Sequence, residues 1–210
     1  MYKVIASGSK GNAILYNNSI LVDCGIPFSM LKPYLYDIQL VLLTHKHGDH
    51  FNESTLNKLV YERPTLRIGC CEWFDDLKYK NVDNYKIGSI YNYEKFLISP
   101  IKLYHDVPNC GYRIFICDGK SGEYKIFHAT DTEHLKGIEA KNYDIYAIES
   151  NYDEDSIETI IKNKISNGQY AYEKGAINSH LSEQQARDFI FKNAGENYEV
   201  VRLHETSLVK

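Results

Sequence analysis

The amino-acid sequence predicts an α/β fold made of layered sheet and helix, and three observations carry that reading. Short apolar runs such as Leu40-Val41-Leu42-Leu43 and Ile145-Tyr146-Ala147-Ile148 read as buried strands. They alternate with segments of helical spacing, such as 54–61 with Leu56, Leu59 and Val60 on one face. Histidines and acids recur just past the apolar runs, at the strand ends where α/β sheets place their ligand sites.

Met1-Tyr2-Lys3-Val4-Ile5-Ala6 reads as a first strand with no signal-peptide pattern, and Ser7-Gly8-Ser9-Lys10-Gly11-Asn12 as a turn into Ala13-Ile14-Leu15-Tyr16. A Gly/Ser turn with one lysine can cradle a phosphate through its backbone N–H groups, though such a turn also serves a plain hairpin. Ser7, Ser9, Lys10 and Asn12 are therefore candidate substrate contacts. The strand over 20–22 ends at Asp23, which either orients a metal-ligating histidine or forms an Asx turn or cap. A helix over 28–36 is limited or kinked by Pro33.

The densest chemistry follows the run that ends at Leu43. In Thr44-His45-Lys46-His47-Gly48-Asp49-His50, three imidazoles and one carboxylate fall within six residues. These are ligands that zinc and similar borderline metals accept. Zinc takes about four ligands, and neighbouring Asp49 and His50 diverge too sharply to share one ion with both His45 and His47. Two ions are the simpler account, with further ligands supplied from later in the chain.

After the helix over 54–61, closed by Pro64, a strand is expected at 65–69 and short strands at 85–87, 94–98 and 101–104. His105 stands at the end of the last of these. Strands at 111–117 and 124–127 flank the turn Asp118-Gly119-Lys120-Ser121-Gly122-Glu123. The second leads to Asp131, well placed to bridge two ions, while His128 and His134 are read as bystanders. The strand over 145–148 ends at Glu149. A helix is expected over 155–164, in a segment made locally basic by Lys162, Lys164 and Lys174. Ser182 with Gln185 signals a capped helix, so His180 lies just before a helix N-terminus, a favourable place for phosphate. The strand over 199–203 ends at His204.

Composition narrows the class. The 210 residues, 43% hydrophobic and 25% charged, suit one soluble domain over 1–210 with a substantial core. Five cysteines without a CxxC pair indicate a reduced compartment. No apolar run reaches membrane-spanning length, and a cytoplasmic location is expected. The net charge of -4 argues against a strongly basic nucleic-acid surface. Two divalent ions would offset that charge.

Taken together, these blocks resemble the metallo-β-lactamase superfamily, and within it the YycJ/WalJ-like branch of phosphodiesterases and DNA exonucleases. Ser7-Gly8-Ser9-Lys10-Gly11-Asn12 is similar to that branch's SGSxGN signature, Leu21-Val22-Asp23-Cys24-Gly25 to its LVDAG stretch, and residues 44–50 to the superfamily's HxHxDH motif. His105-Asp106 with Gly111-Tyr112, Thr130-Asp131-Thr132, Glu149-Ser150-Asn151 and Ser179-His180-Leu181-Ser182 match further blocks in order. Leu203-His204-Glu205-Thr206-Ser207 departs from the usual LxHLS by one inserted residue.

The resemblance implies a four-layer αββα sandwich and two divalent ions, zinc first and manganese also compatible. It implies that His45, His47 and His105 hold one ion, that Asp49, His50 and His204 hold the other, and that Asp131 bridges. By likeness to tRNase Z, Glu149 and His180 assist departure of the leaving oxygen; from the chemistry of two metal ions and a bridging water, Asp49 accepts or orients the water's proton. The segment between Asp131 and His204 is too short for a β-CASP cap. The implied activity is metal-dependent phosphodiester hydrolysis, with a nuclease acting on DNA or RNA ends as the first reading. Rivals are degradation of cyclic nucleotides, as in phage anti-defence enzymes, and a non-catalytic metal- or nucleic-acid-binding module. A nucleic acid or nucleotide is the expected partner, no membrane is, and a homodimer is compatible with the pattern.

Overall fold

In a computed structural model of the chain, residues 1–117, 119, 122–171 and 173–205 are described. They form two compact units, Met1–Ser89 and Ile90–Lys210. Each is organised by one six-stranded sheet.

The first sheet has the order β1 (Tyr2–Ala6), β2 (Ala13–Tyr16), β3 (Ile20–Val22), β4 (Leu40–Leu42), β5 (Arg67–Cys71), β6 (Val82–Tyr85). The hairpins β1–β2 and β2–β3 are antiparallel, and the pairs from β3 through β6 are parallel. Parallel neighbours need crossovers, and these carry α1 (Phe28–Leu31) and α2 (Glu53–Glu62). Pro33 confines α1 to four residues and leaves a 3₁₀ turn over Lys32–Tyr34, as its fixed φ and missing N–H require. Asn52 caps α2 by accepting a hydrogen bond from Thr55 N. Leu31, Leu56 and Leu59 pack with Leu15, Leu21, Val41 and Ile68 into this unit's core. Each fully buried leucine contributes about 1.5–3 kcal/mol.

The second sheet runs β12 (Glu199–Leu203), β11 (Ile145–Glu149), β10 (Glu123–Ala129), β9 (Asn109–Cys117), β8 (Phe96–Leu103), β7 (Tyr91–Asn92). β10, β11 and β12 are parallel, and β9 is antiparallel to both β8 and β10. The strands expected at 94–98 and 101–104 are one strand, β8, passing through Pro100. Proline is tolerated there because β7 pairs only with Leu97 and Ile98, leaving the outer side of β8 without a ladder at Pro100. β5 lies two residues later than expected and ends at Cys71. Of the turn after β9, Asp118, Lys120 and Ser121 lie outside the described residues, as do Thr206 and Ser207 of the terminal motif.

Three helices follow in the second unit, α3 (Glu154–Ser166), α4 (Glu173–Ser179) and α5 (Glu183–Asn193). The predicted capping box is present: Ser182 Oγ accepts from Gln185 N and Gln185 Oε1 accepts from Ser182 N. Ala186, Phe189 and Ile190 of α5 pack with Phe127, Tyr146 and Ile148 of the sheet. Among the described residues no helix is long and apolar enough to cross a membrane.

Candidate metal centre

In each unit the titratable side chains gather past the carboxyl ends of parallel strands, where the chain must turn and its side chains face a crevice. In the first unit those strands are β3 and β4. Asp23, directly after β3, has φ 61° and sends its carboxylate across to the turn after β4. Thr44 donates to it from N (2.9 Å) and from Oγ1 (2.8 Å to Oδ2), and His50 Nδ1 donates to Oδ2 at 2.6 Å. Burial pushes the Asp23 carboxyl up, while His50 and Thr44 oppose the shift.

These bonds decide which ring nitrogens face outward. The single hydroxyl proton of Thr44 goes to Asp23, so Thr44 Oγ1 accepts from His45 Nδ1 at 3.0 Å. His45 Nε2 is left as a lone-pair donor and lies 3.2 Å from His47 Nδ1. Two nitrogens on a tetrahedral zinc, each at about 2.0–2.1 Å, are separated by roughly 3.3 Å. The His45–His47 pair has that spacing. His50, with Nδ1 held by Asp23, turns Nε2 to within 3.7 Å of Asp49 Oδ2.

Asn12, named in the sequence as a substrate contact, is buried at the start of β2. Its amide nitrogen lies 2.8 Å from His50 Nε2 and 3.4 Å from Asp49 Oδ2, and donates to Asp49 O at 3.2 Å. Gly25 packs so tightly under this turn that a Cβ there would lie 1.8 Å from Asp49 O. Ser9 and Lys10 are exposed on the turn between β1 and β2, and Ser7 is half-buried.

In the second unit the ends of antiparallel β8 and of β10, β11 and β12 bring together His105, Asp131, Glu149 and His204, and the turn between α4 and α5 adds His180. Asp131, at φ 52°, presents its two oxygens to two different rings. Oδ1 lies 3.8 Å from His204 Nε2 and Oδ2 3.9 Å from His105 Nε2. Both separations are too long for hydrogen bonds, and Asp106 Oδ1 lies closer to His105 Nε2, at 3.1 Å. His105 Nδ1 donates to Ser179 O at 2.9 Å, which aims Nε2 at Asp131. Burial pushes the His105 pKa down against the attraction of Asp131, favouring the neutral imidazole that ligates metals.

Glu149, fully buried at the end of β11, accepts at Oε2 from Thr132 N (2.9 Å) and Leu181 N (3.2 Å). Its Oε1 takes a short hydrogen bond from His180 Nδ1. Burial pushes Glu149 up, and Asp131 adds to that against the His180 bond. Burial lowers His180, but its hydrogen bond to Glu149 and the charge of that carboxylate outweigh the burial and raise it. Both directions mean that the pair holds a proton firmly. Ligand atoms of Asp131, Glu149, His180 and His204 all lie within 4.8 Å of one another, so this donor set fits a divalent cation.

Two positions carry more than the sequence suggested. Asn109 Nδ2 donates to the carbonyls of Thr130 (3.0 Å) and Asp131 (2.6 Å), holding the left-handed turn that aims Asp131. The Asn151 amide lies 2.8 Å from His204 Nδ1 and donates to His204 O at 3.2 Å. An asparagine after a strand reads in sequence as a turn residue, and nothing local marks Asn109 as more.

Human tRNase Z, short form, superposes with a TM-score of 0.67 at 16% identity, over 97% of this chain and 92% of that one. The metallo-β-lactamase fold protein YhfI from Bacillus subtilis gives 0.60 at 19% identity, over 97% and 96%. This chain has the metallo-β-lactamase fold. In sequence it is 25% identical over 176 residues to exodeoxyribonuclease YycJ of Bacillus anthracis, which bears out the YycJ-like resemblance that the motifs carry. That match takes in 72% of this chain and 63% of the relative, less than two thirds of the relative's length. No protein-family model matches the chain.

Proposed function

We propose that the protein is a dinuclear metal-dependent phosphodiesterase, a nuclease acting on DNA or RNA ends. The observation that carries the reading is Asp131, whose two oxygens face two different imidazoles, Oδ1 towards His204 Nε2 at 3.8 Å and Oδ2 towards His105 Nε2 at 3.9 Å, so that one carboxylate can serve two ions. Likeness to the YycJ exodeoxyribonuclease and to tRNase Z supports the nuclease assignment. On this reading His45, His47 and His105 hold one ion, Asp49, His50 and His204 hold the other, and Asp131 bridges. Bound divalent ions supply an activated water and neutralise charge on the phosphoryl group.

The remaining chemistry belongs to the chain. Asp23 fixes His50 through Nδ1, and Thr44 fixes His45 in the same way. Asp49 accepts or orients the proton of the attacking water. His180, charged against Glu149, delivers a proton to the departing oxygen, for which its raised pKa suits it. Ser7, Ser9 and Lys10 cradle a substrate phosphate through the turn between β1 and β2, while Asn12 holds the Asp49 carbonyl.

The net charge of -4 favours a second reading, hydrolysis of small cyclic nucleotides. Zinc- or manganese-loaded protein should be given 5'-phosphorylated linear DNA and 3',5'-cyclic nucleotides side by side, with Asp49→Ala as control. Loss of DNA in the wild type alone is expected. Cleavage of the cyclic nucleotides alone would replace the nuclease reading with the second.

A further inference from the structure

Wholly within the second unit, a cavity of about 350 Å³ opens between α5 and the turn after β10. Small-molecule sites span about 300–1,000 Å³, so this one has room for a single nucleotide. Its floor is apolar: Leu135, Leu181 and Phe189 are all buried. Two exposed lysines, Lys136 and Lys192, stand at its rim, and the opposing charge in the lining is Asp188. On the His134 side the aromatic surface continues, because the Tyr104 ring lies 4.5 Å from that of His134, and Lys102 Nζ stands 5.2 Å over Tyr104.

Both walls are tied to Glu149. Leu181 N donates to Glu149 Oε2, and Thr132, whose N does the same, donates from Oγ1 to His134 O at 3.1 Å. The residues that wall the cavity are therefore held in place by the carboxylate assigned to the leaving oxygen's proton.

We propose that this cavity is a nucleotide subsite, holding the base of a neighbouring nucleotide on the Leu135–Leu181–Phe189 floor and its phosphate on Lys136 and Lys192. The inference rests on the phosphodiesterase reading and sharpens it. A cyclic mononucleotide has no second nucleotide to place, whereas a strand does, so the subsite selects polynucleotide substrates. Apolar and aromatic faces bind bases with little regard to sequence, and lysines bind phosphate as point charges.

The test compares metal-loaded wild type with the double variant Lys136→Ala/Lys192→Ala, neither residue belonging to the assigned catalytic set. Binding of a fluorescent single-stranded phosphorothioate DNA is followed by anisotropy across a salt series, and hydrolysis of bis(p-nitrophenyl) phosphate is measured in parallel. The double variant is expected to bind DNA about tenfold more weakly, with a salt slope shallower by about 1. Its hydrolysis of the small ester should be unchanged, and Lys136→Arg/Lys192→Arg should restore binding. Unchanged DNA affinity and slope would overturn the subsite, as would an equal loss on the small ester. Should wild type hydrolyse neither bis(p-nitrophenyl) phosphate nor unmodified DNA while the double variant still loses affinity for the phosphorothioate strand, the phosphodiesterase reading fails and the nucleotide site stands.

Discussion

Single side chains set the geometry of both strand-end clusters. Asp23 is one carboxylate with three bonds to the metal turn, from Thr44 N, Thr44 Oγ1 and His50 Nδ1. Asp23→Asn keeps the shape and removes the charge that fixes the His50 tautomer. Metal affinity should fall about 10–100-fold, read by competition with a chromogenic chelator, and an unchanged affinity would remove Asp23 from the account. His180 tests the other cluster. His180→Ala should lower kcat on DNA by about 10²–10⁴, because an alkoxide leaving group needs a proton, and should spare bis(p-nitrophenyl) phosphate, whose p-nitrophenolate leaves without one. Equal losses on the two esters would show that His180 serves the site in some other way. Asp23 and His180 were readable in sequence because each follows an apolar run or precedes a helix cap. Asn109 was not, since its work lies in two carbonyls more than twenty residues away.

At the scale of elements, what sequence reveals depends on whether the signal is local. The capping box at Ser182 and Gln185 is a four-residue pattern, and α5 begins where it predicts. Ser182→Ala should cost about 1 kcal/mol and lower Tm by about 2–4 °C; thermal melts read this directly. Asp153 caps α3 by accepting from Ser156 N at 2.9 Å, and bonds to Ser156 and Gln184 hold its carboxyl below the usual range. A depressed folded-state pKa stabilises fully above the unfolded value, about 3.9, and that support is lost as pH falls through the folded value. The Tm gap between wild type and Asp153→Ala should therefore be larger at pH 7 than at pH 3, and a gap independent of pH would mean that the charge plays no part. β8 was read as two strands because Pro100 breaks the local pattern, and only the limited reach of β7 explains why the strand continues. α4, seven residues long and containing Gly175, lacks the apolar periodicity that would have announced it.

For the molecule as a whole, the fold was legible because motif blocks stand in order along the chain and all but the one over Ser179–Ser182, which lies between α4 and α5, fall at a strand end. The assembly of ligands was legible only in outline, since the bridging role of Asp131 depends on where His105 and His204 stand, 26 residues before it and 73 after it by number. The net charge of -4 and the gathered carboxylates mean that bound cations relieve repulsion in the folded state. Ions that bind only the folded chain stabilise it by about 2.7 kcal/mol at a hundred times Kd. Chelation should accordingly lower Tm and abolish hydrolysis, and zinc or manganese should restore both. The most direct measurement is the number of divalent ions retained per chain after gel filtration, for wild type and for Asp131→Ala. About two ions are expected in the wild type and fewer than one in the variant. A wild type that retains a single ion, or a variant that keeps the full complement, would contradict a dinuclear centre bridged by Asp131.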